Sequence, residues 1–202
     1  MPRPRSLNLP QIAAAALDVV DSDGLAALSM RTVARRLGIG TMSLYRYVAD
    51  RDELEAMVVD LVLDKVDLRV PEGSARQRVS VLVERVREAA AQHPAVVPLV
   101  LAHRHRTPAS MRWGEAMLGV LAEAGFAGTR RVYAFRALLA YVFGALEVEH
   151  YSALTGPGTR ALAELPAGEF PVLSETATVA RGITGADEFA QGLQIMLRGL
   201  EL

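Results

Sequence analysis

Between Ser29 and Tyr47 the chain reads Ser-Met-Arg-Thr-Val-Ala-Arg-Arg-Leu-Gly-Ile-Gly-Thr-Met-Ser-Leu-Tyr-Arg-Tyr. Thr41, Met42, Ser43, Tyr45, Arg46 and Tyr47 crowd chemistry into its last seven residues. Hydroxyls and guanidinium groups can bond base edges or hold phosphates, and a methionine can lie against a thymine methyl. Arg31 before this run and Arg51 after it are spaced for phosphate or base contact. Of the 22 basic residues 21 are arginine and only Lys65 is lysine, so nearly every positive charge can fork onto a phosphate or carboxylate. The competing interpretation is a helical hairpin with a solvated polar face.

Two other constellations could do chemistry. Glu147-Val-Glu-His150 has the Glu-x-x-His spacing of di-iron helical bundles, which puts both ligands on one helix face. Such centres need the motif twice and a Glu from each of two further helices, and one copy is present, so a bridge or a buried polar pair explains it better. It leaves a helical-bundle enzyme or metal protein using Glu147 and His150 as the alternative function. His103-Arg-His105 could bind a metal weakly, but side chains two apart on a helix diverge. Cysteine is absent, which excludes disulfides and thiolate centres. There is no Gly-rich phosphate loop after a strand and no nucleophile elbow. The expectation is a protein that is not an enzyme, with no cofactor and no metal.

The elements that must position these residues read as helices throughout. Asn8-Leu-Pro-Gln11 is a capping-box pattern, with Ile12, Ala15, Ala16, Val19 and Val20 behind it and Gly24 as a stop. A second helix starts at Ser29 and ends before Gly38. A third covers Thr41 to Tyr47, with Thr41 placed to help cap it. Ala34 is small enough for a close helix crossing, Gly38 can take positive φ in the turn, and Val33, Leu37, Ile39 and Leu44 can share one core. Asp50-Arg-Asp-Glu53 opens a longer amphipathic helix. Beyond Val70-Pro-Glu-Gly73, helices are expected near 75–92, 109–124, 130–153 and 187–200, with a short one near 172–180. The Gly-, Pro- and Thr-rich stretch Thr155 to Gly185 is expected to be mobile for much of its length. No alternating strand pattern and no solenoid repeat is present, so the fold class is all-α. The division expected is 1–66, a three-helix helix-turn-helix domain with a linker helix, and 67–202, a helical body.

Charge sharpens this division. The 202 residues carry a formal net charge of −1. Residues 1–51 hold seven Arg and four Asp, 7 − 4 = +3, and the rest holds 15 − 19 = −4. A basic head therefore sits on an acidic body. Arg3 and Arg5, in a Pro-broken arm, could reach a minor groove or phosphate, or stay solvated. The longest run free of Asp, Glu, Lys and Arg, 89–103, is broken by Pro94 and Pro98 and is too short to span a bilayer. No apolar core follows the basic N-terminus, so a cytoplasmic protein without a signal peptide or membrane partner is expected.

On these residues the first 65 or so resemble the DNA-binding domain of the tetracycline-repressor (TetR) family. The resemblance rests on Gly24-Leu-Ala-Ala-Leu-Ser-Met-Arg31, Val33-Ala-Arg-Arg-Leu-Gly38, Leu44-Tyr-Arg-Tyr-Val48 and Arg51-Asp-Glu-Leu54. Tyr47 stands where the family pattern has His. The resemblance implies that Arg31, Thr41, Met42, Ser43, Tyr45, Tyr47 and Arg51 touch a double-stranded DNA operator, and Arg46 shares their exposed face. Glu123-Ala-Gly-Phe126, Phe170-Pro-Val-Leu173, Phe189-Ala-Gln-Gly-Leu193 and Arg198-Gly-Leu-Glu201 extend it, more loosely, to the C-terminal domain of the tetracycline repressors.

That similarity implies a homodimer through the helices near 130–153 and 187–200. The apolar surface of Phe189, Leu193, Ile195, Met196, Leu197 and Leu200 suits an interface, with packing inside a monomer as the other reading. An effector pocket would be lined by Leu101, His103, Trp113, Met117, Phe135, Leu138, Leu139, Tyr141, Phe143 and His150, unless these are simply core. In the repressors a His in the segment matching Pro94 to Leu101 helps hold a tetracycline–Mg²⁺ complex. No His stands there, so the effector expected is a modest-sized, largely apolar small molecule. The function expected is a ligand-responsive, homodimeric transcriptional repressor released from a near-palindromic operator.

Overall fold

The computed structural model describes residues 7–202, so the arm carrying Arg3 and Arg5 lies outside the described residues. Those residues form an all-α fold with no strand. The helices are α1 Leu9–Asp23, α2 Met30–Arg36, α3 Thr41–Leu44, α4 Arg51–Leu63, α5 Ala75–Ala91, α6 Val97–His103, α7 Pro108–Glu123, α8 Gly128–Tyr151, α9 Pro157–Ala163, α10 Pro171–Ala180 and α11 Gly185–Gly199.

Local side-chain chemistry sets the helix starts. Asn8 accepts from the Gln11 amide at 2.9 Å while Gln11 reaches back to the Asn8 amide at 3.2 Å. Ser29 and Thr32 form the same reciprocal pair ahead of α2. Asp50 caps α4 by accepting from the Glu53 amide at 2.9 Å. Its reciprocal partner is displaced by one residue, because the Glu53 carboxylate takes the Ala49 amide rather than that of Asp50. Each pairing satisfies helix-terminal N–H groups that have no partner inside the helix.

Two compact units are present. The first comprises residues 7–71 with 81–117, so the later parts of α5 and all of α6 belong with α1 to α4. Its core includes Ile12, Ala16, Val20, Val33, Leu44, Leu54, Val58, Val62, Leu82 and Met117, all essentially inaccessible. The Trp113 indole donates to the Leu82 carbonyl at 3.0 Å within it. The second comprises 72–80 with 118–202. There α9 and α10 form a helical hairpin, and α8 packs on α11. The Tyr141 ring lies 5.5 Å from Phe189, and its hydroxyl donates to the Phe189 carbonyl at 2.6 Å.

Three expectations are revised. Residues 155–185 contain α9, which was not expected, besides α10, which answers to the short helix expected near 172–180. Pro157 and Pro171 sit in the first turns of these helices, where a missing N–H costs no intrahelical bond. Helix α6, not expected from the sequence, follows the same rule, with Pro98 in its first turn. The broad apolar surface expected of α11 is split: Phe189, Leu193 and Leu197 are buried within the chain, and Ile195 is exposed.

Candidate nucleic-acid interface

Helices α2 and α3 are joined by a turn whose geometry follows from one residue. Gly38 has φ +68°, which lets its amide reach the Arg35 carbonyl (3.1 Å) and the Ile39 amide reach the Ala34 carbonyl (3.0 Å). This crossed pair satisfies the last carbonyls of α2 and turns the chain sharply into α3. Gly40, not Thr41, is the residue before α3, and it makes no side-chain cap. Thr41 is instead the first helical residue, half-buried. The α-helix ends at Leu44; Tyr45 to Tyr47 continue as tight turns, with the Tyr47 amide on the Leu44 carbonyl at 2.9 Å.

Burial then sorts the side chains. Leu44 and Val48 are inaccessible and pin this segment to the core. Met42 is 78% exposed, Tyr45 47% and Tyr47 37%, an outlay of apolar and aromatic surface that the fold of the single chain does not use. Arg46 is exposed beside them, and Ser43 is half-buried.

The arginines divide into two groups. Arg36 is spent on the fold: it pairs with Asp18 and, at 3.0 Å, with Asp23, fastening α2 to the end of α1. Arg51 pairs with Glu55 at 2.8 Å and reaches the Leu25 carbonyl, so it is held in place by its own domain. Arg31, Arg35 and Arg46 are exposed and make no ion pair among the described residues. Arg31 and Arg35 are one helical turn apart on α2 and share a face. Arg35 was not among the sequence candidates, although its i+4 spacing from Arg31 was a visible signal. Exposed tyrosines, a methionine and three uncommitted guanidiniums around two helices joined by a tight turn are the parts of a surface that reads nucleic acid.

Comparison with known proteins bears on this surface. Residues 12–56 match the model for bacterial regulatory proteins of the tetR family, and residues 69–202 match that for the tetracyclin repressor-like C-terminal domain. The chain belongs to the TetR family of transcriptional regulators. An HTH-type transcriptional repressor, DrrR1 of Streptomyces coeruleorubidus, is 31% identical over all of this chain and 79% of its own length. The class D tetracycline repressor protein of Escherichia coli is 27% identical over 97% of this chain and 90% of its own. Among solved structures, ActR of Streptomyces coelicolor in complex with (S)-DNPA superposes with a TM-score of 0.86 at 28% identity, covering 98% of both chains.

Elsewhere in this TetR-family chain the ten effector candidates fall in both units. In the first, Leu101 is half-buried, Trp113 and Met117 are buried, and His103 is 3% exposed. The His103 Nε2 lies 3.1 Å from Glu55. In the second, Leu138 and Phe143 are buried, Phe135, Leu139 and Tyr141 are half-buried, and His150 is exposed with its ring edge-on to Tyr151. Tyr141 lines a cavity of about 370 Å³ between α8 and α11, walled by small residues including Ala140, Gly144 and Gly192. Glu147 is half-buried, and the metal-competent grouping among the described residues is Asp52, Glu55 and His103, not Glu147 and His150. No helix of the described residues is long and apolar enough to cross a membrane.

Proposed function

We propose that this protein is a homodimeric repressor, and not an enzyme, that leaves a near-palindromic operator when a small, largely apolar effector binds. The observation that carries the reading is the exposure of Met42, Tyr45 and Tyr47 beside the uncommitted Arg31, Arg35 and Arg46. Residues 1–66 act as the DNA-binding domain, with α3 and the turn after it in the major groove. Thr41, Met42, Ser43, Tyr45, Arg46 and Tyr47 face the bases, and Arg31 and Arg35 hold phosphates. Arg51 acts through Glu55 and the Leu25 carbonyl to position the recognition segment. Residues 67–202 bind the effector and dimerise through α8 and α11, supported by exposed Val132, Tyr133, Val148, Tyr151 and Ile195. A twofold dimer needs half-sites about 34–36 Å apart.

The effector pocket is assigned to the candidates of the second unit, Phe135, Leu138, Leu139, Tyr141, Phe143 and His150, with support from the cavity that Tyr141 lines. Support for a small-molecule effector comes from ActR, whose structures include complexes with (S)-DNPA and with actinorhodin. The effector favours the arrangement that does not bind DNA, and by linkage the operator weakens the effector by the same factor. The protein acts in the cytoplasm, where its operator is.

The test is anisotropy titration of labelled DNA from the protein's own promoter region at several salt concentrations. Wild type binds with log K falling steeply with log salt, as displaced counterions require. Arg31→Ala and Tyr45→Ala lose operator binding and sediment as dimers. Salt-insensitive or absent DNA binding by wild type, or loss of the dimer in either variant, overturns the assignment.

A further inference from the structure

We propose that Asp52, Glu55 and His103 form a divalent transition-metal site, one that staples the first turn of α4 to the last turn of α6. Asp52 and Glu55 are three residues apart and share a face of α4. His103 is the final residue of α6, almost wholly buried, and its Nε2 faces both carboxylates: 3.1 Å to Glu55 Oε2 and 3.9 Å to Asp52 Oδ1. One ligand atom from each residue falls within 4.8 Å of the others. Around a tetrahedral zinc with bonds of about 2.0–2.2 Å, neighbouring ligand atoms are roughly 3.4 Å apart, between the two distances observed.

The three ligand atoms converge on one point, and Nε2 is the ring nitrogen that faces it. The His103 Nδ1 is buried with no hydrogen-bond partner among the described residues, so this ring is held by its Nε2 side. A bare Nε2 lone pair would face two carboxylate oxygens, which is repulsive. A proton on Nε2 satisfies Glu55 but leaves Asp52 Oδ1 at 3.9 Å, beyond bonding reach. A divalent ion on Nε2 is within reach of one oxygen from each carboxylate, with the imidazole proton then on Nδ1.

The outer contacts fit this role. Each carboxylate presents one oxygen to His103 and gives the other to an arginine: Glu55 Oε1 takes Arg51 at 2.8 Å, and Asp52 Oδ2 takes Arg106. Partners of this kind orient ligating carboxylates. They also offset the carboxylate charge, which weakens the site relative to unpaired carboxylates. An imidazole with two carboxylates suits zinc, cobalt or manganese, and three protein ligands leave room for water.

The test of this site requires no DNA. Chelator-treated full-length protein is titrated with ZnCl₂ by calorimetry, and with CoCl₂ by visible absorption. Wild type takes up one ion per chain, gains a cobalt absorption band and melts at a higher temperature with zinc. Glu55→Gln and Asp52→Asn each weaken binding at least tenfold and lose the zinc-dependent rise in melting temperature, whereas His105→Ala binds as wild type. Asp52 is exposed and its pair with Arg106 is of a kind that contributes little to stability, so Asp52→Asn stays folded and informative even if a change at buried His103 does not. Absence of stoichiometric uptake overturns the proposal, as does undiminished binding by both carboxamide variants.

Discussion

Replacing Gly38 with alanine isolates the conformational requirement of the turn that aims α3. Its φ is +68°, and a Cβ built there meets nothing within 4 Å, so the substitution adds no clash. What it adds is the left-handed backbone penalty of an L residue, about 1–2 kcal/mol. The methyl group also restricts the unfolded chain, offsetting about 0.4–1 kcal/mol of that cost. The net destabilisation is therefore about 1 kcal/mol, equivalent to a fall of about 2–4 °C in melting temperature for a chain of this length. Gly38→Asn should cost distinctly less, because asparagine tolerates this region of φ. Urea denaturation followed by circular dichroism, with both variants measured side by side, provides the comparison. If alanine proved neutral, or asparagine proved as costly as alanine, the turn would not rest on a left-handed residue at position 38.

Three further outcomes are expected. Gly192→Ala places a methyl group against the Tyr141 hydroxyl and 3.1 Å from its ring, forcing the tyrosine off the Phe189 carbonyl; overpacking of this kind costs about 1–3 kcal/mol. Tyr141→Phe should absorb part of that loss, so a double-mutant denaturation cycle that came out additive would contradict the contact. Trp113→Phe removes the indole N–H that the Leu82 carbonyl accepts beside its own helical bond and should cost about 0.5–1.5 kcal/mol in urea unfolding for the lost hydrogen bond. The Asp67 carboxyl is held down to about 2, chiefly by hydrogen bonds from the Arg69 side chain and amide. Because its folded value lies below the ordinary 3.8, its contribution is complete above that pH and fades as the pH falls towards 2. Asp67→Asn should flatten stability over that acid interval, and a carboxyl NMR titration of wild type should place Asp67 well below the ordinary 3.8.

What could be read from sequence was whatever the chain settles locally. Asn8, Ser29, Asp50, Gly24 and Gly38 mark helix ends through partners three or four residues away, and the structure has each of them at such an end. Where local signals are ambiguous the sequence misled: α6 and α9, which carry Pro98 and Pro157 in their first turns, were not expected, since proline is equally at home in a first turn and in a loop. Exposure on α3 was legible because Leu44 and Val48 fix which side is buried. The use of each arginine was not, because Arg36 and Arg51 find partners on other segments while Arg31 and Arg46 find none among the described residues. His103 shows the same limit. Its partners, Asp52 and Glu55, are some fifty positions away and become visible only once α4 and α6 are packed together.

The contacts between α4 and residues 103–112 have a mechanical consequence. Four attachments run along the helix and its C-terminal cap: Asp52 to Arg106, Glu55 to His103, Asp60 to the Ala109 amide at 2.8 Å, and Asp64, the capping residue, to Arg112 at 2.6 Å. The outer two are exposed ion pairs, which dissolved salt screens; the inner two are part-buried and largely shielded from it. Raising ionic strength therefore loosens both ends of α4 while its middle stays anchored, converting a clamped beam into a lever with a fulcrum near residues 55–60. Salt would then widen the angular play of whatever α4 carries, apart from any screening of phosphates.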